Sequence, residues 1–160
     1  MSIEQIKRKP LSDGDILAIL GTRVIRYEEL KNYSNIDDVL KNNSLVLLIN
    51  NKAGPIGHWV CLVKRGKVLS YFDSAGRAPD PPEYKIKNPY LSKLLYKSPY
   101  ELEYSEKRYQ KRLTSTCGRH VILRIIMKDR PLSEYQHLMN KFKNKDDFVS
   151  AVTYFMGNHV

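Results

Sequence analysis

The apolar positions along the chain change their period twice. Residues 44–50 (SLVLLIN) form one unbroken apolar run, the pattern of a strand buried on both faces. Residues 58–63 (HWVCLV) and 68–72 (VLSYF) are two further strand-like runs. The turn Lys64-Arg65-Gly66-Lys67 separates them, so they pair as a hairpin. Residues 51–57 hold Gly54, Pro55 and Gly57 and predict a loop. Further on the period lengthens. Val121, Ile122, Ile125 and Ile126 predict an apolar helix over 118–129, which Pro131 stops. Residues 133–142 and 146–156 predict two more helices, the second capped near Asp146 and Asp147. Before the strands, residues 11–20 read as a short helix capped by Ser12 or Asp13. Residues 27–40 read as a loop and a second short helix, with its cap between Asn35 and Asp38. The segment 74–90 carries Pro79, Pro81, Pro82 and Pro89 and predicts a surface loop. A helical turn over 91–96 and a short strand within 100–110 follow. The order helix, strands, helices predicts an α+β fold around a central, mostly antiparallel sheet.

Composition narrows this. A chain of 160 residues fits one domain, 1–160. With 42% hydrophobic and 28% charged residues it has the profile of a soluble globular protein. No apolar run approaches the roughly 20 residues of a membrane span, so no membrane partner is expected. MSIEQIKRKP has no apolar stretch of a secretory leader, which points to action in the cytosol or nucleus. Two cysteines, Cys61 and Cys117, make neither a disulfide framework nor a zinc cage. His58, His120, His137 and His159 lack metal-ligand spacing, so no metal is expected. The net charge is +10, and residues 84–130 hold 12 Lys and Arg against 4 Asp and Glu. Such a bias suggests an acidic partner, with nucleic acid the usual candidate, or else a solvated basic surface. Interleaved Tyr84, Tyr90, Tyr96, Tyr100, Tyr104 and Tyr109 would suit base stacking, or would be core.

The candidate chemistry centres on Cys117. It stands where a helix begins, among unpaired N–H groups and a partial positive charge that favour thiolate over thiol. Gly118 would let a substrate carbonyl approach the backbone, with the Cys117 N–H free to donate to it. A buried structural cysteine is the alternative. His58 opens a strand after a glycine loop, a good place for a base. Cys61 alternates to the other strand face and reads as core. Asp73 ends the neighbouring hairpin strand at a comparable distance from the turn, so it is a plausible cross-strand neighbour able to orient the imidazole. Asp73 could instead merely open the Asp73-Ser74-Ala75-Gly76 turn. His120 is a rival base, three residues beyond Cys117 on the same helix but without an evident carboxylate. His137 and His159 read as surface or packing residues.

In order, Gly57-His58-Trp59, Tyr71-Phe72-Asp73-Ser74, Gln110 and Cys117-Gly118 resemble the adenovirus maturation protease (adenain) and the SUMO-specific proteases that share its fold. The resemblance spans residues 45–127 and rests on four short motifs with matching spacing. It implies a papain-like, adenain-like cysteine protease fold, with Cys117 as nucleophile on the central helix, His58 as base and Asp73 as third member. It implies that Gln110 donates to the oxyanion beside the Cys117 N–H and that Trp59 packs near the substrate cleft. Ser115-Thr116-Cys117 lacks the Asp that directly precedes Cys in many SUMO proteases, which favours the viral branch. The expected activity is cleavage of viral capsid or other structural precursors during maturation. Expected surroundings are the virion and the host cytoplasm or nucleus where particles assemble. No cofactor is required on this reading, although DNA is a candidate activating surface and non-specific partner. Removal of ubiquitin-like modifiers, or nucleic-acid binding by a degenerate site, are the alternatives.

Overall fold

The computed structural model describes residues 1–50, 57–112 and 114–157. The loop predicted over 51–56 and His159 lie outside the described residues. Five strands form one sheet in chain order: β1 (Val24–Arg26), β2 (Ser44–Ile49), β3 (His58–Arg65), β4 (Val68–Phe72) and β5 (Glu101–Tyr104). The three central strands are antiparallel, while β1 joins β2 and β5 joins β4 in parallel. The predicted hairpin is β3–β4, closed through Gly66 at φ +60°. The strand predicted within 100–110 is β5, whereas β1 went unread, because a three-residue edge strand buries too little to leave a period.

Among the described residues seven α-helices surround the sheet: α1 (Ile3–Arg8), α2 (Asp13–Leu20), α3 (Ile36–Val39), α4 (Tyr90–Lys97), α5 (Cys117–Ile126), α6 (Leu132–Met139) and α7 (Lys145–Met156). Alternation along the strands splits the core into two layers. On one face Val46, Trp59, Cys61, Val63 and Phe72 pack with Val121, Ile122 and Ile125 of α5. On the other, Leu45, Leu47, Val60, Leu62, Leu69 and Tyr71 pack with Leu30, Ile36, Val39, Leu91 and Leu94. Both faces of β2 are thereby covered, which is why its sequence is an unbroken apolar run.

The central helix α5 is buried from Cys117 to Ile125, polar residues included. Arg124 reaches past the helix end, its Nη1 donating to the carbonyls of Met127 at 3.0 Å and Arg130 at 3.2 Å. Its guanidinium also lies 5.3 Å from the centre of the Tyr135 ring. A buried cation at a helix C-terminus meets the negative end of the dipole and the orphan carbonyls together.

Caps fix the shorter helices. Ser12 and Asp15 form a reciprocal capping box on α2, and Asn35 and Asn144 cap α3 and α7 through their side chains. Ser2 and Gln5 do the same for α1, a helix too short to show a period. The proline-rich segment is anchored at Asp80, which accepts from Tyr27 Oη at 2.6 Å and from the Ser92 N–H at 2.8 Å. It folds inward far enough to bury Tyr84. No helix among the described residues is long and apolar enough to cross a membrane.

Candidate active site

The start of α5, the start of β3 and the end of β4 meet at one end of the sheet. Residues Cys61 and Phe72 are opposed in the β3–β4 register, which places Asp73 beside Val60 and His58 one side-chain repeat further on the same face. His58 and Asp73 are thus diagonal neighbours, and His58 Nε2 donates to Asp73 Oδ1 at 2.6 Å. The same oxygen accepts the Ala75 N–H at 2.8 Å, and the other carboxylate oxygen accepts the Tyr84 hydroxyl. Tyr84 also lies against the imidazole, ring centres 5.5 Å apart. Asp73 therefore both opens its turn and holds His58.

With Nε2 engaged by Asp73, Nδ1 is the nitrogen left to face Cys117. Burial works against charge on His58, but hydrogen bonds to Asp73 and to Cys117 outweigh it and raise the imidazole to about 10. The two cysteines differ in their surroundings. Cys61 is fully buried, and burial pushes its thiol up to about 12. Cys117 is 8% exposed at the floor of a cavity of about 190 Å³ lined by Pro10, Leu11, His58, Trp59, Gln110 and Ser115 among others.

Gln110 arrives on the same cavity by a tight loop contact. Its N–H and that of Tyr109 both donate to the Ser74 carbonyl, at 2.9 and 2.8 Å. Gly76 permits this approach. It has φ +77°, and a Cβ there would meet Arg108 N and Glu106 O at 2.8 Å. Ser74 Oγ donates to Gln110 Oε1 at 2.8 Å, and Gln110 Nε2 donates to the Thr114 carbonyl at 3.0 Å. A primary amide has two N–H donors, so one remains for the cavity. The first N–H groups of α5, that of Cys117 included, have no partner within the helix.

Trp59 lines the cavity and is fixed by its indole N–H, which donates to the Leu11 carbonyl at 3.1 Å. Gly118 is placed differently from the sequence reading. It does not line the cavity; a Cβ there would meet Trp59 Cδ1 at 3.2 Å and Ile16 and Leu11 at 3.4 Å. Its missing side chain makes room for the packing of Trp59 and α2, not for a substrate.

His120 does have a carboxylate, contrary to the sequence reading, but it points away from the thiol into the core. Its Nε2 donates to Asp146 Oδ1 at 2.9 Å, and burial lowers its pKa towards the neutral ring. Asp146 also accepts Thr116 Oγ1 at 2.6 Å and the Lys111 N–H at 2.9 Å. One buried carboxylate from α7 thus grips both ends of the loop between Gln110 and Cys117. Sequence reasoning took Asp146 for a helix cap only, because its partners lie on another element.

The N-terminal segment supplies the remaining wall. The Ser115 N–H donates to the Lys7 carbonyl at 3.1 Å, and Lys7 Nζ pairs with Asp147 of α7 at 2.8 Å. Of the tyrosines in the basic segment, Tyr84 and Tyr109 are buried, whereas Tyr96 and Tyr104 are exposed.

No family model matches the sequence. One curated relative decides the matter: the uncharacterized protein V9 of Sputnik virophage is 36% identical over 171 residues, covering 94% of this chain and 98% of that protein. The chain belongs to the V9 family. Its fold is also that of solved cysteine proteases. SUMO protease Ulp1 superposes with a TM-score of 0.53 at 17% identity, covering 97% of this chain and 79% of Ulp1. The ASFV pS273R protease superposes with a TM-score of 0.51 at 20% identity, covering 90% of this chain and 66% of that one. This V9-family protein therefore has the SUMO-protease fold, as the four motifs imply.

Proposed function

We propose that this protein is a cysteine endopeptidase that cleaves viral structural precursor proteins. The observation that carries the reading is the alignment of Cys117, His58 and Asp73, with the Asp73 carboxylate 2.6 Å from the imidazole and the Cys117 side chain hydrogen-bonded to the same ring. In this mechanism the Cys117 thiolate attacks the scissile carbonyl carbon, forming the C–S bond. The oxygen gains negative charge and accepts from the Cys117 N–H and the free Gln110 N–H. The His58 imidazolium gives its proton to the leaving nitrogen as the C–N bond breaks. Water, deprotonated by the now neutral His58, then hydrolyses the thioester. Asp73 holds the ring and favours its charged form throughout.

A viral substrate is supported by the V9 relationship, whose named member is a virophage protein. On this reading the enzyme acts in the virion or at the site of particle assembly. Non-specific DNA binding along the basic segment belongs to the same proposal. Its test is titration of labelled duplex, with affinity falling steeply between about 50 and 200 mM salt.

The deciding experiment incubates the protein, and its Cys117→Ala variant, with capsid and minor structural proteins of the parent particle and with ubiquitin-like fusions. Mass spectrometry reads the products. Defined cuts in the structural proteins by the wild type alone support the proposal. Cuts confined to the ubiquitin-like fusions would make it a modifier-removing protease instead.

A further inference from the structure

Beside the cavity of Cys117 lies a second concavity of about 240 Å³, lined by His58, Ala75, Arg77, Tyr84, Arg108, Gln110, Lys111 and Thr114. The two share His58, Gln110 and Thr114 and so form one continuous cleft. Their linings differ in kind. The first offers Leu11, Trp59 and Pro10, whereas the second offers three cations and no carboxylate.

The cations are not all neutralised. Arg77 pairs with Glu83 at 2.7 Å. Arg108 spends its Nε on the Gln110 carbonyl, at 2.5 Å, and its terminal nitrogens have no carboxylate partner among the described residues. Lys111 gives its backbone N–H to Asp146, and no carboxylate lies within ion-pair distance of its Nζ among the described residues. These two side chains flank Gln110 in sequence, two residues before it and one after. Their backbone is held by Ser74 and Asp146, so the charges are presented by a fixed loop.

We propose that this basin is a specificity subsite for an acidic side chain, Asp or Glu, within two residues of the scissile bond of a peptide substrate. The proposal rests on the endopeptidase reading and adds the substrate class. An extended peptide advances about 3.3 Å per residue. A scissile carbonyl placed at Gln110 therefore carries its near neighbours past Arg108 and Lys111. A cleft with one sign of charge and partly desolvated walls concentrates the opposite sign. The end beside Trp59 and Leu11 carries no Lys or Arg, so the two ends of the cleft select different residues.

The test is cleavage profiling on a library of peptides derived from whole-cell proteins, read by mass spectrometry. It is followed by matched peptides carrying Asp, Asn or Lys at each position flanking the cut. Wild type, Arg108→Glu and Lys111→Glu are compared by the Asp-to-Asn ratio of kcat/KM within each protein, which cancels any common loss of turnover. The expected ratio at one position is about fivefold in the wild type, the upper end for an exposed charge pair. It should fall to one or below in each variant, with Lys gaining. Equal cleavage of Asp and Asn peptides by the wild type, or a ratio unchanged in both variants, overturns the subsite while leaving the protease intact. Loss of duplex DNA retention in the variants with no change in the ratio would reassign the basin to a phosphate backbone. No cleavage of any peptide by folded wild type would remove the endopeptidase reading itself.

Discussion

Ser74 Oγ donates to the side-chain oxygen of Gln110 at 2.8 Å, and this bond sets which end of the amide faces the cavity. With the oxygen held, the nitrogen must point towards Thr114 and the cleft. Gln110→Ala removes the donor, and turnover is expected to fall on the order of 10²–10³-fold with little change in KM. Ser74→Ala leaves the donor but frees the amide to flip, so a loss of roughly tenfold in kcat is expected. Steady-state kinetics on one peptide checks both. Unchanged turnover in Gln110→Ala would make Gln110 an ordinary loop residue.

The two thiols should behave as opposites. Iodoacetamide is expected to label Cys117 in the native protein and to spare Cys61, which burial keeps protonated and out of reach. Cys117→Ala abolishes cleavage and leaves the circular dichroism spectrum intact. Cys61→Ala keeps most activity and lowers Tm, because it opens a small cavity against Val63 and Phe72. Peptide mapping of the labelled protein decides, and first labelling of Cys61 would overturn the assignment.

The raised imidazole has a pH signature. The folded-state value of about 10 lies above the unfolded value of 6.5, so the His58 interactions contribute stability fully below pH 6.5. That contribution is lost as pH rises from 6.5 through about 10. The Tm difference between wild type and His58→Asn should therefore be largest in mild acid and shrink towards pH 10. Paired thermal melts across this range measure it. A difference that grows with pH would mean that His58 is neutral in the fold.

Asp146 should affect rate as well as stability. It accepts from Lys111, Thr116 and His120, and so couples α7 to the loop between Gln110 and Cys117. Asp146→Ala is expected to lower Tm and to cut kcat by roughly tenfold or more, since buried donors lose a charged acceptor. Asp146→Asn keeps one acceptor oxygen and should recover part of kcat at unchanged KM. Equal kcat in all three proteins would reduce Asp146 to a fold residue.

The sheet and the central helix were legible because each leaves a period: β2 through continuous burial, β3 and β4 through alternation about Gly66, α5 through Val121, Ile122 and Ile125. Cys117, His58 and Asp73 were legible because strand ends and a helix start are read from those same periods. Tyr84, Ser74 and Asp146 were not, since each acts through a partner far along the chain and carries no local pattern of its own. Tyr84 was left open between a stacking ring and a core residue, because the proline-rich loop around it carries no period. Arg119, His120 and Arg124 sit on the buried helix against every expectation from polarity, and only tertiary partners such as Thr153, Asp146 and the Met127 carbonyl accommodate them.

The grip of α7 on Lys7, and of Lys7 on Ser115, has a consequence for timing. During synthesis α1 leaves the ribosome well before α7. The wall carrying Leu11 gains its anchor to α7 when Asp147 meets Lys7, and the loop before Cys117 gains its own when Asp146 meets Thr116. The Lys7–Asp147 closure spans nearly the whole polypeptide, whereas Thr116–Asp146 spans 30 residues, and distant contacts form late. A growing chain therefore holds both His58 and Cys117 before the contacts from α7 complete the walls around them.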